Sequence, residues 1–171
     1  MASERTRMDI IIDALSKIDS DINNGIWEMA QGLTNNEITN LFNQTALDFF
    51  NLAIDITRKR NIEREYGFSA YMNLFEAALK MNVTVPVDRF TMLILEFAPD
   101  IYGGNEKVFL DMHIPDSKIN TGNEFNIIRS DAFKKLWLIL NSTEKELVTE
   151  KVLSLTTYAH AYFYKLLLNK K

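Results

Sequence analysis

The stretch TEKELVTEKVLSLTTYAHAYFYKLLL, residues 143–168, decides the fold. Its apolar residues Val148, Val152, Leu155, Ala159, Tyr162 and Leu166 recur in steps of four and three, a spacing that keeps them on one face of an α-helix. A second row, Leu153, His160, Tyr164 and Leu167, widens that face until little purely polar surface remains beyond Val152. A helix that is apolar nearly all round belongs inside a structure, with other helices packed on it. Thr143-Glu144-Lys145-Glu146 reads as a capping box opening the helix. Acids at its start and Lys165, Lys170 and Lys171 at its end complement the helix macrodipole.

The remaining chain has the same character. Thr6-Arg7-Met8-Asp9 fits a capping box ahead of a stripe of Met8, Ile11, Leu15, Ile18 and Ile22. Asn23-Asn24-Gly25 is expected to end that helix, leaving a short amphipathic piece from Ile26 to Gln31. Thr34-Asn35-Asn36-Glu37 opens a second helix with the face Ile38, Phe42, Thr45, Phe49, Leu52 and Ile56. It runs either to Tyr66 or to a break before Gly67. Ser69 is positioned to cap a third helix, with Tyr71, Leu74, Phe75, Ala78 and Leu79 as its apolar residues. Val83-Thr84-Val85-Pro86 reads as an extended connector. A fourth helix spans about Val87 to Ala98, stopped by Pro99, and a fifth about Glu124 to Leu140. Between them, residues 99–123 lack periodicity apart from a short element expected at Lys107–Met112. The expected fold is all-α: a single globular bundle of about six helices packed around the long apolar C-terminal helix, with residues 1–171 forming one domain.

Composition agrees and excludes several chemistries. Hydrophobic residues make up 47% and charged residues 25%, the balance of a soluble globular chain. The chain has no Cys, which removes disulfides, thiolate metal sites and Cys nucleophiles and fits a reducing compartment. Asp9, Asp13 and Lys17 interrupt the N-terminal apolar positions, so no secretory signal is read. The run Val152–Leu168 holds His160 and Lys165 and falls short of the ~20 residues of a membrane span. The expected location is intracellular and cytoplasmic, with no membrane partner. A richness in Asn, Ile and Lys is the bias of AT-rich genomes, among them many viral and phage genomes, and would place the protein in a host cell.

Candidate chemistry is sparse. Asp19-Ser20-Asp21-Ile22-Asn23-Asn24-Gly25 resembles the opening of a calcium loop, but Gly25 falls one position late and the twelfth position is Ala30, so it reads as a solvated helix end. Asp111-Met112-His113 places a carboxylate two residues from an imidazole. With only His113 and His160 in the chain, neither a His-Glu-x-x-His nor a di-iron Glu-x-x-His pattern assembles. No glycine-rich phosphate loop, nucleophile elbow or dinucleotide fingerprint is present. No catalytic, cofactor-binding or metal-binding residue is therefore assigned.

Two surface features remain. Arg58, Lys59, Arg60 and Arg64 form the densest basic run, with Arg129, Lys134 and Lys135 as a looser second group. Juxtaposed, they would make a basic patch for nucleic-acid phosphates despite the net charge of −4. The heptad-like seams also exceed what a lone helix pair needs. The leading reading is thus a non-enzymatic protein–protein interaction or assembly protein of viral or phage type, with self-association or a protein partner. A nucleic-acid-binding helical protein is the alternative, and a small enzyme or haem-type binder using His113 is the third.

Overall fold

The computed structural model describes residues 6–105, 107–111 and 130–168. Helices α1 (Arg7–Leu15) and α2 (Ser20–Gly32) replace the single N-terminal helix that the apolar stripe implies. Thr6 and Asp9 form the expected capping box. The break comes at residues 16–19, because Asp19 starts a new helix by accepting a hydrogen bond from the Asp21 amide at 2.8 Å. Asn23 lies inside α2 rather than ending it. Its carboxamide donates to the Leu15 and Ile18 carbonyls at 3.0 and 3.4 Å, satisfying groups that the end of α1 leaves open.

Helix α3 (Asn35–Lys59) opens on the Thr34–Glu37 box, where Thr34 Oγ accepts from the Glu37 amide at 3.1 Å and the Thr34 amide donates to Glu37 Oε1 at 2.9 Å. Thr34→Ala removes one of these bonds and should destabilise the protein by about 1 kcal/mol, read as a lower urea midpoint at unchanged slope. A loss below ~0.3 kcal/mol would mean that water replaces the cap without cost.

The chain turns after α3 at Asn61, whose φ of 57° is one that Asn tolerates better than most residues. Helix α4 (Glu63–Tyr66) follows and ends at Gly67, φ 73°. Helix α5 (Phe68–Met81) is capped not by Ser69 but by Glu63. That carboxylate accepts from the Phe68 and Ser69 amides at 2.6 and 3.3 Å and from Ser69 Oγ at 2.8 Å.

Both prolines expected to interrupt helices instead begin them. Pro86 lies in the first turn of α6 (Val85–Ile94), where a missing amide hydrogen costs nothing, and the expected connector shrinks to a turn. Pro99 lies at the start of α7 (Ala98–Tyr102), which follows a 3-10 turn at Leu95–Phe97. Helix α8 (Val108–Asp111) is the short element expected at Lys107–Met112. Of the stretch expected to be irregular, residues 112–123 lie outside the described residues, as does the first part of the fifth predicted helix. Its described part is α9 (Ser130–Ile139).

Helix α10 (Ser142–Leu168) is capped two residues earlier than expected. Asn141 Oδ1 accepts from the Glu144 amide and the Asn141 amide donates to Glu144 Oε1, both at 2.9 Å. Among the described residues there is no strand. The fold is all-α, and α10 packs against α3, α2, α6 and α7. No residue from Lys151 to Leu168 is fully exposed, as an apolar perimeter requires. The α3 face buries Ile38, Phe42, Phe49 and Ile56, and Phe50 meets Phe75 of α5 at 5.5 Å between ring centres. Arg7 fixes the start of α1 to the end of α6. Its Nε donates to the Met92 carbonyl at 2.6 Å, and its guanidinium pairs with Glu96 at 2.7 Å. The apolar seams of α1, α3 and α10 are thereby consumed inside the core.

Candidate functional site

The turn at Asn61 sends the basic residues of α3 and α4 in different directions. Arg60 points back to the start of α10, where Nη1 donates to Glu144 Oε2 at 2.9 Å and Nη2 to Glu144 Oε1. This two-pronged pair suits the planar guanidinium fork. The hydrogen bond from Arg60 holds the Glu144 carboxyl below its ordinary range, and the same bond raises Arg60. Arg60 is therefore engaged as a clamp between the end of α3 and the start of α10. Lys59 pairs with Asp55 at 3.2 Å, an exposed contact of little energetic weight.

Arg58, Arg64, Lys134 and Lys135 are exposed. Arg129 lies outside the described residues. Helix α9 reaches this corner because Phe133 stacks on Phe49 of α3 at 6.1 Å and Trp137 lies against Phe109 of α8 at 4.6 Å. Lys135 then places its ammonium 5.1 Å from the centre of the Tyr66 ring on α4, within cation–π range. Lys135 of the second basic group thus meets the α4 turn that carries Arg64 of the first. Tyr66 was missed as a member of this cluster, since nothing local in sequence links it to α9.

A second feature lies on α5. Phe75 and Ala78 face the core, while Ala70, Leu74, Ala77 and Met81 are exposed in steps of four, three and four. Leu74, one of the apolar residues read for this helix, is 39% exposed, and Met81 is 73% exposed. Apolar residues occupy two faces of this helix, and a single stripe cannot account for both. Val83, just past its end, is 50% exposed.

The histidines separate. His113 and the Asp111 side chain lie outside the described residues. His160 is fully buried, with Nδ1 3.0 Å from the Tyr102 hydroxyl and its ring 4.7 Å from that of Tyr164. Its Nε2 has no hydrogen-bond partner among the described residues. Burial pushes its pKa down to about 4 and raises that of Tyr102. Among the described residues no three His, Asp or Glu side chains group as metal ligands, and no helix is long and apolar enough to cross a membrane.

No protein-family model matches the chain, and no solved structure matches it. It is similar to "Uncharacterized protein R465" of Acanthamoeba polyphaga mimivirus, with 44% identity over 164 residues, covering 96% of this chain and 91% of the mimivirus protein. Likeness at that level over nearly the whole length of both proteins means that the chain belongs to the family of this mimivirus protein.

Proposed function

We propose that this protein is a non-enzymatic assembly protein that pairs with a second copy of itself through the outer face of α5. The observation carrying this reading is the exposed stripe Ala70, Leu74, Ala77 and Met81. Its four-three-four spacing reads the same from either end. Antiparallel pairing about a two-fold axis therefore sets Leu74 against Ala77 of the partner subunit and Met81 against Ala70 of the partner subunit. Each large side chain meets a small one, as interdigitated helix packing requires. A different helix would need its own matching pattern, whereas a second copy supplies it without further assumption. The viral relative supports a viral source and, with it, an intracellular place of action in a host.

One 14-residue helix per subunit gives an interface at the small end of the specific range, so dissociation near the micromolar level is expected. Light scattering after size exclusion, over loading concentrations up to about 100 μM, should show mass rising from monomer to dimer. Leu74→Glu with Met81→Glu should hold the protein monomeric while leaving its melting cooperative, because both side chains point outward. A wild-type monomer throughout that range, or a dimer that persists in the double variant, overturns the α5 reading.

A further inference from the structure

We propose that the corner formed by Arg58, Arg64, Lys134 and Lys135 binds the phosphate backbone of nucleic acid, as an activity separate from pairing through α5. Two elements far apart in sequence, the α3–α4 turn and α9, converge there. The Lys135–Tyr66 contact, 5.1 Å from ammonium to ring centre, is the point at which they meet. The local charge is decided by how the neighbouring acids are engaged. Glu144 is bound two-pronged by Arg60, Asp55 is paired with Lys59, and Glu63 is turned away to cap α5. The side chains of Arg58, Arg64 and Lys134 make no hydrogen bond or ion pair among the described residues. Glu65 on α4 and Asp131 on α9 are the further acids of these two elements, so the four cations Arg58, Arg64, Lys134 and Lys135 exceed them by two. With an overall charge of −4, attraction of a polyanion depends on a local positive excess of this kind.

The geometry also restricts the ligand. An isolated phosphate wants converging donors, and the backbone amides at the start of α5 are already occupied by Glu63. Membrane-surface binding relies on cations along one amphipathic helix with an apolar face beside them. Here the cations are divided between a helix corner and a separate helix. A strand with repeating phosphates suits separated point charges. Tyr66 lies between Lys135 and Phe68, whose ring is stacked 6.4 Å away, so it supports the lysine rather than offering a free face to a base. Recognition through such a site is of the backbone and independent of sequence.

The test uses the full chain and fluorescein-labelled oligonucleotides of unrelated sequence, single-stranded and duplex, followed by polarisation. Four phosphate contacts on a duplex predict an affinity loss on the order of a hundred-fold between 50 and 200 mM salt. Replacing Arg58, Arg64, Lys134 and Lys135 together by Gln should reduce binding at least ten-fold with no change in oligomeric mass. Replacing Lys17, Lys80, Arg89 and Lys151 by Gln, an equal change of charge elsewhere, should reduce it much less. Circular dichroism establishes that both variants are folded. Absence of binding at 50 mM salt overturns the proposal. So do equal losses in the two variants, or capture by phosphatidylserine vesicles in preference to either oligonucleotide. Because the four substitutions leave α5 intact, this proposal fails or survives independently of the pairing through that helix.

Discussion

Phe163→Ala is expected to lower the unfolding free energy by about 4 kcal/mol, which is a large fraction of the ~5–15 kcal/mol that domains of this kind possess. Phe163 is fully buried in the second half of α10, the helix on which α2, α3, α6 and α7 converge. Truncation to Ala removes the transfer free energy of the ring and leaves a cavity that packed helices close only in part. Leu166, by contrast, is only half-buried, and Leu166→Ala should cost no more than roughly half as much. Guanidinium titrations of the two variants, compared at constant slope, decide the ordering. A greater loss for Leu166→Ala would mean that the last turns of α10 face the core with a different side from the one described.

That comparison marks where the sequence is a good guide and where it stops. Steps of four and three along α10 identify Val148, Val152, Leu155, Ala159 and Tyr162 as buried, and they are. Continued to Leu166, the same arithmetic bypasses Phe163, because an apolar perimeter gives a period no preferred phase. Only the placement of α2, α3 and α6 around the helix selects Phe163 as an inward side. Capping chemistry is local, so Thr6 and Thr34 are legible as boxes. Where two residues compete for a cap, tertiary structure chooses: Asn141 over Thr143, and Glu63 over Ser69. The prolines illustrate a real ambiguity, since Pro stops a helix it follows and is equally accommodated in the first turn of a new one.

The candidate surfaces divide in the same way. Each basic group was visible in sequence, but their meeting depends on Phe133 stacking on Phe49, a contact across more than eighty residues. Arg60 looked equivalent to Arg58 and Arg64 as a cation. Its commitment to Glu144 follows from the α3–α10 packing and no local pattern announces it. The α5 stripe could have been read from Ala70, Leu74, Ala77 and Met81. Recognising it required knowing that Phe75 and Ala78 hold the inner face.

His160 should make the protein lose about 2 kcal/mol of stability between pH 7 and pH 5, and about 3 kcal/mol by pH 4. In the fold the imidazole is buried, with its pKa at about 4 against 6.5 for the free side chain. One ring nitrogen meets the Tyr102 hydroxyl and the other has no partner among the described residues. Whichever nitrogen holds the proton in the neutral ring, adding a second proton creates a charge in an apolar site with no carboxylate hydrogen-bonded to it. The folded state therefore resists protonation while the unfolded chain accepts it. Between pH 6.5 and 4 the unfolded state binds more protons, so stability is full above 6.5 and falls as the pH drops through this window. Glu144 acts in the same direction but lower. Its carboxyl, depressed by Arg60, gives stability that is present above its unfolded pKa of 4.5 and is lost only below it. Urea unfolding at pH 7, 6 and 5 thus isolates the histidine. His160→Gln, which keeps an amide within reach of Tyr102 and carries no titratable proton, should be less stable at pH 7 but nearly flat over that range. A variant whose loss from pH 7 to pH 5 equals that of the wild-type chain would show that another group provides the acid sensitivity, and that the neutral imidazole does not govern how α10 is held at low pH.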